Sequence, residues 1–284
     1  MDLLERWQGE PADILIALHA RRSAESIERW SAKRPGARVV VLTGTDLYRD
    51  IHVNADAQRS LDLADRLVVL HERAVDDLPL RHRTKAVACF QSTTSRVPLV
   101  KTSQHLRAVM VGHLREEKDP RTYFEAARIL ASRHDILLDH IGDALDPALG
   151  REACDLQQGS SHYRWLGALP HEPTRGRIQG AHVLVHPSRM EGGAHVVMEA
   201  ICSATPVLAS RISGNVGMLG TDYAGYFEPG DAEGLATCLR RCRDDPTILS
   251  RLREQCATRA PLFDPARERA TLRALLDDLL EKPR

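Results

Sequence analysis

The sequence predicts an α/β protein of two doubly wound domains, and three observations carry that expectation. Short runs apolar on both faces alternate with helical stretches along the whole chain, the pattern of parallel sheets covered on two sides. Residues 91–106, rich in Gln, Ser, Thr, Arg and Pro and without sustained period, separate two series of such runs. Residues 187–200 take an apolar strand through the pair Gly192-Gly193 into an apolar helix. At 284 residues the chain can give each domain its own core.

The first series opens with residues 13–18, a short buried strand. His19-Ala20-Arg21-Arg22-Ser23 follows, then a helix carrying Ile27 and Trp30 on one side. Residues 38–42 form a β-branched run ending in Thr43-Gly44-Thr45-Asp46, and residues 66–70 and 85–90 repeat the pattern. The second series places strands at 107–111, 135–141, 163–166, 182–186, 206–209 and 223–227. Residues 112–118 form the loop leaving the first of these. Asp119 and Pro120 read as N-cap and first residue of a helix through Phe124, Ala127, Ile129 and Leu130. Helices fill 235–243, 248–259 and 266–280, broken at Pro261 and Pro265. The expected boundaries are 1–104 for the first domain, 105–265 for the second, and 266–284 for a terminal helix.

Lys plus Arg and Asp plus Glu balance at 39 each, so no global field recruits nucleic acid or an anionic membrane. Neither is expected as a partner, and any phosphate binding must be local. The six cysteines form no C-x-x-C pair and no Cys/His ladder, which fits reduced thiols and no metal site. Cys238 and Cys242, four apart on one helix face, read as packing. No apolar run reaches the length of a membrane span, and Asp2, Glu5 and Glu10 are foreign to a signal peptide. The expectation is a soluble cytoplasmic protein.

In parallel sheets ligands bind beyond the carboxyl ends of the strands, which points to residues 19–23 and 44–46. His19, Arg21 and Arg22 are either a solvated loop or a guanidinium pair suited to an anion. Gly44, Thr45 and Asp46 form either a turn with an Asp cap or a substrate contact. The Gly192-Gly193 pair and the helix start after it suit a phosphate, because backbone N–H groups can approach a ligand there. Within that helix Glu199 is either a carboxylate facing the core, needing strong donors such as a sugar diol, or part of a wet stripe with His195 and Ser203.

Two consecutive α/β domains, the loop from Gly112 to Lys118, and Glu191 and Glu199 eight apart across a Glu-Gly-Gly turn resemble the GT-B retaining glycosyltransferases of family 4. That resemblance implies two Rossmann-like domains of GT-B architecture sharing a site that works without metal or cofactor. It assigns Lys118 to the diphosphate of a UDP-sugar donor, Glu199 to the ribose hydroxyls and Glu191 to the donor sugar. The backbone of Gly192, Gly193, Ala194 and His195 would meet sugar and phosphate. His113 stands where the family has arginine beside Gly112, and Glu-Gly-Gly-Ala replaces its Glu-Gly-aromatic-Gly; a histidine donates to phosphate but titrates near neutrality.

A narrower resemblance lies in residues 15–23, 42–51 and 188–194, which look like the selenosugar synthase branch serving selenoneine biosynthesis. It implies that selenophosphate attacks the anomeric carbon of UDP-N-acetylglucosamine or UDP-glucose, with UDP as leaving group, Arg21 or Arg22 on the acceptor's phosphate, and His19 as base or proton relay if one is used. An ordinary glycosyltransferase with a hydroxyl acceptor and a nucleotide-sugar binder without turnover are the alternatives. Family members begin with a strand and a glycine-rich loop, whereas residues 1–12 alone precede the first strand here. The first domain is therefore expected to lack its opening strand–helix unit.

Overall fold

A computed structural model describes residues 2–33 and 36–281, and these divide into two compact α/β units. The first comprises Met1–Gln91, Glu191–Gly193 and Pro265–Arg284, and the second Ser92–Met190 and Ala194–Asp264. Each carries a wholly parallel sheet, as the doubly apolar runs require.

In the first unit the strands β1 (Ile14–Leu18), β2 (Ala37–Val41), β3 (Arg66–Val69) and β4 (Ala86–Ala88) lie side by side in chain order. Successive residues face opposite sides, and both sides are filled. Val40, Leu67 and Val69 pack with Ile27 of helix Ala24–Lys33 and with Ala57 and Leu61 of helix Ala55–Leu63. Val39 and Val68 turn the other way and meet Cys89 with Leu275 and Leu279, which lie on the last helix, Pro265–Glu281. Burying each such leucine contributes about 1.5–3 kcal/mol, enough to anchor that helix on the first sheet. The sequence sets this helix apart as residues 266–284; its packing joins it to the first unit.

In the second unit the order is β10-β9-β8-β5-β6-β7, with β5 Leu106–Val111, β6 Ile136–Ile141, β7 Tyr163–Trp165, β8 Val183–His186, β9 Val207–Ser210 and β10 Tyr226–Phe227. The chain winds outward from β5 through β6 and β7, then returns to β8 on the other side of β5 and winds out again. The direction therefore reverses between β5 and β8. Strand β10 is shorter than the expected 223–227 because the Tyr223 hydroxyl donates to the Val207 carbonyl (2.5 Å) and accepts from its N–H (3.0 Å), so regular pairing begins only at Tyr226 opposite Ala209.

The aperiodic stretch that the sequence gives to the first domain as far as residue 104 belongs from Ser92 onward to the second unit. Backbone groups pin it there: Thr93 N–H to Phe263 O (3.1 Å), Arg96 N–H to Cys202 O (2.8 Å), and the Gln179 amide to Val97 O (2.8 Å). Asp-Pro starts mark two helices as written, with Asp146 accepting from Ala148 N–H and Asp245 from Thr247 N–H. Cys242 is buried, its thiol pushed up to about 12 by burial, in keeping with packing. No helix among the described residues is long and apolar enough to cross a membrane.

Candidate active site

Doubly wound sheets bind ligands beyond the strand ends where winding reverses, here after β5 and β8. The loops that follow these strands are residues 112–119 and the run from Pro187, and the Arg189 N–H joins them by donating to Glu117 O (2.9 Å).

The end of β5 is held rigidly. His140 is fully buried, and burial drives its pKa down to about 4, so the ring is neutral. Its Nε2–H donates to Gly112 O (3.1 Å), leaving Nδ1 to accept from the Tyr163 hydroxyl (3.2 Å). Gly142, at φ 154°, comes so close that a Cβ there would lie 2.0 Å from the Gly112 oxygen. His113 is exposed, and its Nδ1 accepts from Asp143 N–H (3.0 Å), which puts the ring's proton on Nε2. The stem of Lys118 lies over Gly112. Asp119 occupies the N-cap position but makes no cap bond. It is left-handed (φ 47°) and buried, and its carboxylate takes the Thr122 hydroxyl (2.7 Å) and Arg189 Nε (3.1 Å).

After β8, the Ser188 carbonyl accepts from the Ser210 hydroxyl (2.5 Å), which Asn215 braces from behind (3.1 Å). The helix His195–Ile201 then carries Glu199 inward. Glu199 is only 4% exposed and Ser203 1%, so the wet-stripe alternative fails and the carboxylate faces the interior. His171 Nε2 lies 2.6 Å from Glu199 Oε1, and the buried Arg175 guanidinium approaches the same oxygen (3.9 Å) while donating to Thr94 O (2.8 Å). Oε2 has no hydrogen-bond partner among the described residues.

The first unit gathers a second cluster at the ends of β1 and β2. His19 sits at φ 73°, a left-handed conformation held by its N–H on Val41 O (2.9 Å) and by Ser23 N–H on its own carbonyl (3.0 Å). Its Nδ1 contacts Asp46 directly, and its Nε2 faces the Thr45 hydroxyl (3.3 Å). Asp46 is fully buried and burial pushes it up to about 6, whereas burial and then Arg22 push His19 down. Burial thus pushes both partners toward their neutral forms, and the two titrate as one coupled pair. Burial also acts to raise Asp50, but Arg49 (3.1 Å) and Arg21 (2.8 Å) outweigh it and hold that carboxyl low. His19, Asp46 and Asp50 bring ligand atoms within 4.8 Å of one another, but the two guanidinium groups already supply countercharge there. Arg21 is committed to Asp50, while Arg22 is exposed and has no carboxylate partner among the described residues.

Residues 191–193 group with this unit. Gly44 and Gly192 let two backbones pass: a Cβ on Gly44 would lie 2.7 Å from Gly192 N, and one on Gly192 2.6 Å from Gly44 N. Gly192→Ala is expected to force the segments apart at a cost of about 1–3 kcal/mol, the usual penalty of overpacking. Urea unfolding checks this, and an unchanged midpoint contradicts it.

The sequence-named residues therefore fall into three groups: Gly112, His113 and Lys118 after β5; Ala194, His195 and Glu199 after β8; and His19, Arg21, Arg22, Thr45 and Asp46 with Glu191, Gly192 and Gly193 in the first unit. Sequence reasoning misses His171 and Arg175, whose partner is 28 and 24 residues away on another helix, and gives no role to Arg49 and Asp50, which end the helical turn Asp46–Asp50.

The family described as glycosyl transferases group 1 matches residues 91–262, nearly the whole second unit. Sucrose synthase from Acidithiobacillus caldus is 31% identical over 105 residues, 34% of this chain and 13% of that protein. Among solved structures, sucrose-phosphate synthase from Thermosynechococcus elongatus superposes with a TM-score of 0.79 at 18% identity, covering 94% of this chain and 74% of that one. A mutant of S. aureus TarM in complex with fondaparinux, α-GlcNAc-glycerol and UDP gives 0.73 at 12% identity, covering 95% of this chain and 55% of that one. The chain thus spans only part of each relative, and the structural likenesses establish its α/β fold as that of the GT-B enzymes. With more than half of its length matched by one family, and that half carrying the reversal-point loops, the chain belongs to the group 1 glycosyl transferases.

Proposed function

We propose that this glycosyltransferase moves the sugar of UDP-N-acetylglucosamine or UDP-glucose onto the selenium of selenophosphate and releases UDP. The observation that carries the donor half is Glu199, a buried carboxylate with Oε1 on His171 and Oε2 without a hydrogen-bond partner among the described residues, suited to the paired hydroxyls of a ribose. TarM, a distant likeness, has been solved with UDP. Lys118 and the start of helix Pro120–Ile129, at the end of β5, are assigned to the diphosphate. As the C1–O bond breaks, its electron pair passes to the β-phosphate, and the ammonium and helix dipole stabilise that charge in place of a metal. His113 Nε2–H is a further donor. Glu191 is assigned to the donor sugar. The backbone of Gly192, Gly193, Ala194 and His195 is assigned to the sugar and phosphate, Gly192 also letting the Gly44 backbone pass.

Selenium bonds to C1 as UDP leaves, and water then removes the phosphoryl group to give the selenol. The nucleophile is soft and already anionic, so it asks little of a general base. Arg22, without a carboxylate partner among the described residues, is the group for the acceptor's phosphate, and the His19–Asp46 pair serves as proton relay. One observation favours a second reading: a histidine oriented by a buried carboxylate is also what a hydroxyl acceptor needs.

Enzyme-coupled UDP release from UDP-N-acetylglucosamine and from UDP-glucose, with and without selenophosphate, separates the two. Release that requires selenophosphate is the expected result; equal release without it contradicts the proposal. Arg22→Ala is expected to raise the KM for selenophosphate by about tenfold, the worth of one charge-assisted hydrogen bond, while leaving the donor KM unchanged. Arg21→Ala should instead lower the urea midpoint, because the buried Asp50 then keeps only the Arg49 guanidinium among the described residues.

A further inference from the structure

Away from the reversal-point loops, the second unit contains a cavity of about 420 Å³, within the range of small-molecule sites. One wall is the aperiodic stretch after residue 97; another is helix Pro246–Arg259, which presents Pro246, Leu249, Ser250 and Arg253, spaced three and four apart, along one face. The lining is sharply divided. Leu99, Pro246 and Leu249 supply an apolar body, whereas Lys101, Arg243 and Arg253 supply positive charge, and no carboxylate among the described residues lines the space.

Arg243 is neutralised from outside by Asp135 (2.8 Å). Lys101 and Arg253 have no carboxylate partner among the described residues. The Lys101 ammonium is left with the Thr205 hydroxyl (3.2 Å), whose own proton goes to Ile178 O (2.9 Å). His182 cannot serve as an anion's partner, because Nδ1 accepts from Arg107 N–H and Nε2 donates to Thr102 O. Burial and then the nearby Arg253 push Lys101 down to about 8, in keeping with an ammonium that has no carboxylate partner among the described residues. A half-buried ammonium facing an apolar chamber beside a second cation lacks an anion.

We propose that this cavity is a second ligand site, taking a small amphiphilic anion whose carboxylate or phosphate head lies between Lys101 and Arg253 and whose apolar tail lies against Leu99 and Leu249. Nothing in the donor or acceptor assignments requires it. Isothermal titration of the full chain with octanoate, octyl phosphate and octanol tests it. Both or either anion should bind and octanol should not; the tighter anion identifies the head group. Lys101→Met, which keeps the apolar stem, should weaken the anion about tenfold or more, and the exposed Arg253→Gln several-fold. Saturating UDP should leave the affinity unchanged. Octanol binding as well as the anions, failure of both anions to bind, displacement by UDP, or wild-type affinity in Arg253→Gln overturns the proposal. The last of these decides even if Lys101→Met fails to fold.

Discussion

Glu199→Ala is expected to lower UDP affinity by about a hundredfold, since each hydrogen bond from a ribose hydroxyl to a buried carboxylate contributes about 1.5–3 kcal/mol and each 1.4 kcal/mol is tenfold. The substitution also strands Arg175, a buried cation that loses its neighbouring carboxylate, so part of its effect will be on stability. Glu199→Gln keeps the shape and one acceptor for His171, and about a tenfold loss is expected from it. A ribose hook is distinguished from a structural carboxylate by comparing UDP with 2′-deoxy-UDP. Wild type should prefer UDP, and the preference should collapse in Glu199→Gln, because the missing hydroxyl and the missing charge report the same contact. A preference that survives the substitution, or unchanged calorimetric affinity for UDP, contradicts the assignment.

Lys118→Ala should act on a different part of the same ligand. If its ammonium stabilises the departing diphosphate, kcat falls by about 10²–10³, the usual loss when one transition-state donor is removed. UDP affinity should fall with it, whereas uridine affinity should not, because uridine has no diphosphate. Lys118→Arg is not a neutral exchange, since a planar guanidinium replaces a point charge whose stem is laid along Gly112. Loss of uridine binding in Lys118→Ala would point to collapse of the loop after β5 and away from a role in catalysis.

Much of the fold is legible in the sequence because parallel strands announce themselves. Runs such as Val39 to Leu42 and Leu67 to Val69 are apolar on both faces only because both faces are covered, and all ten such runs form strands. What covers each face is not legible. The last helix looks like an appendage until Leu275 and Leu279 are seen against Val39 and Val68, a contact spanning most of the chain. Nor does the sequence reveal strand order, so the reversal between β5 and β8, which makes sense of both loops at once, appears only in the structure.

The candidate site divides the same way. Gly112, Lys118 and Glu199 stand out because their spacing resembles a known motif. Helical periodicity alone leaves Glu199 undecided between core and surface, because His195, Glu199 and Ser203 share one face; the partners that decide it, His171 and Arg175, come from another helix. The glycine pair was expected to serve a ligand. Gly192 also lets the Gly44 backbone pass, and such a close approach of two backbones leaves no periodic trace.

The central claim, that selenium is joined to the anomeric carbon of a UDP-sugar, is tested most directly by the product. The protein is incubated with UDP-N-acetylglucosamine or UDP-glucose and selenophosphate, and the mixture is analysed by mass spectrometry. The expected result is a sugar selenol, or its diselenide, bearing the isotope pattern of selenium and formed in step with UDP. UDP accompanied only by free sugar or an oxygen-linked glycoside, with no selenium in any sugar product, would contradict it.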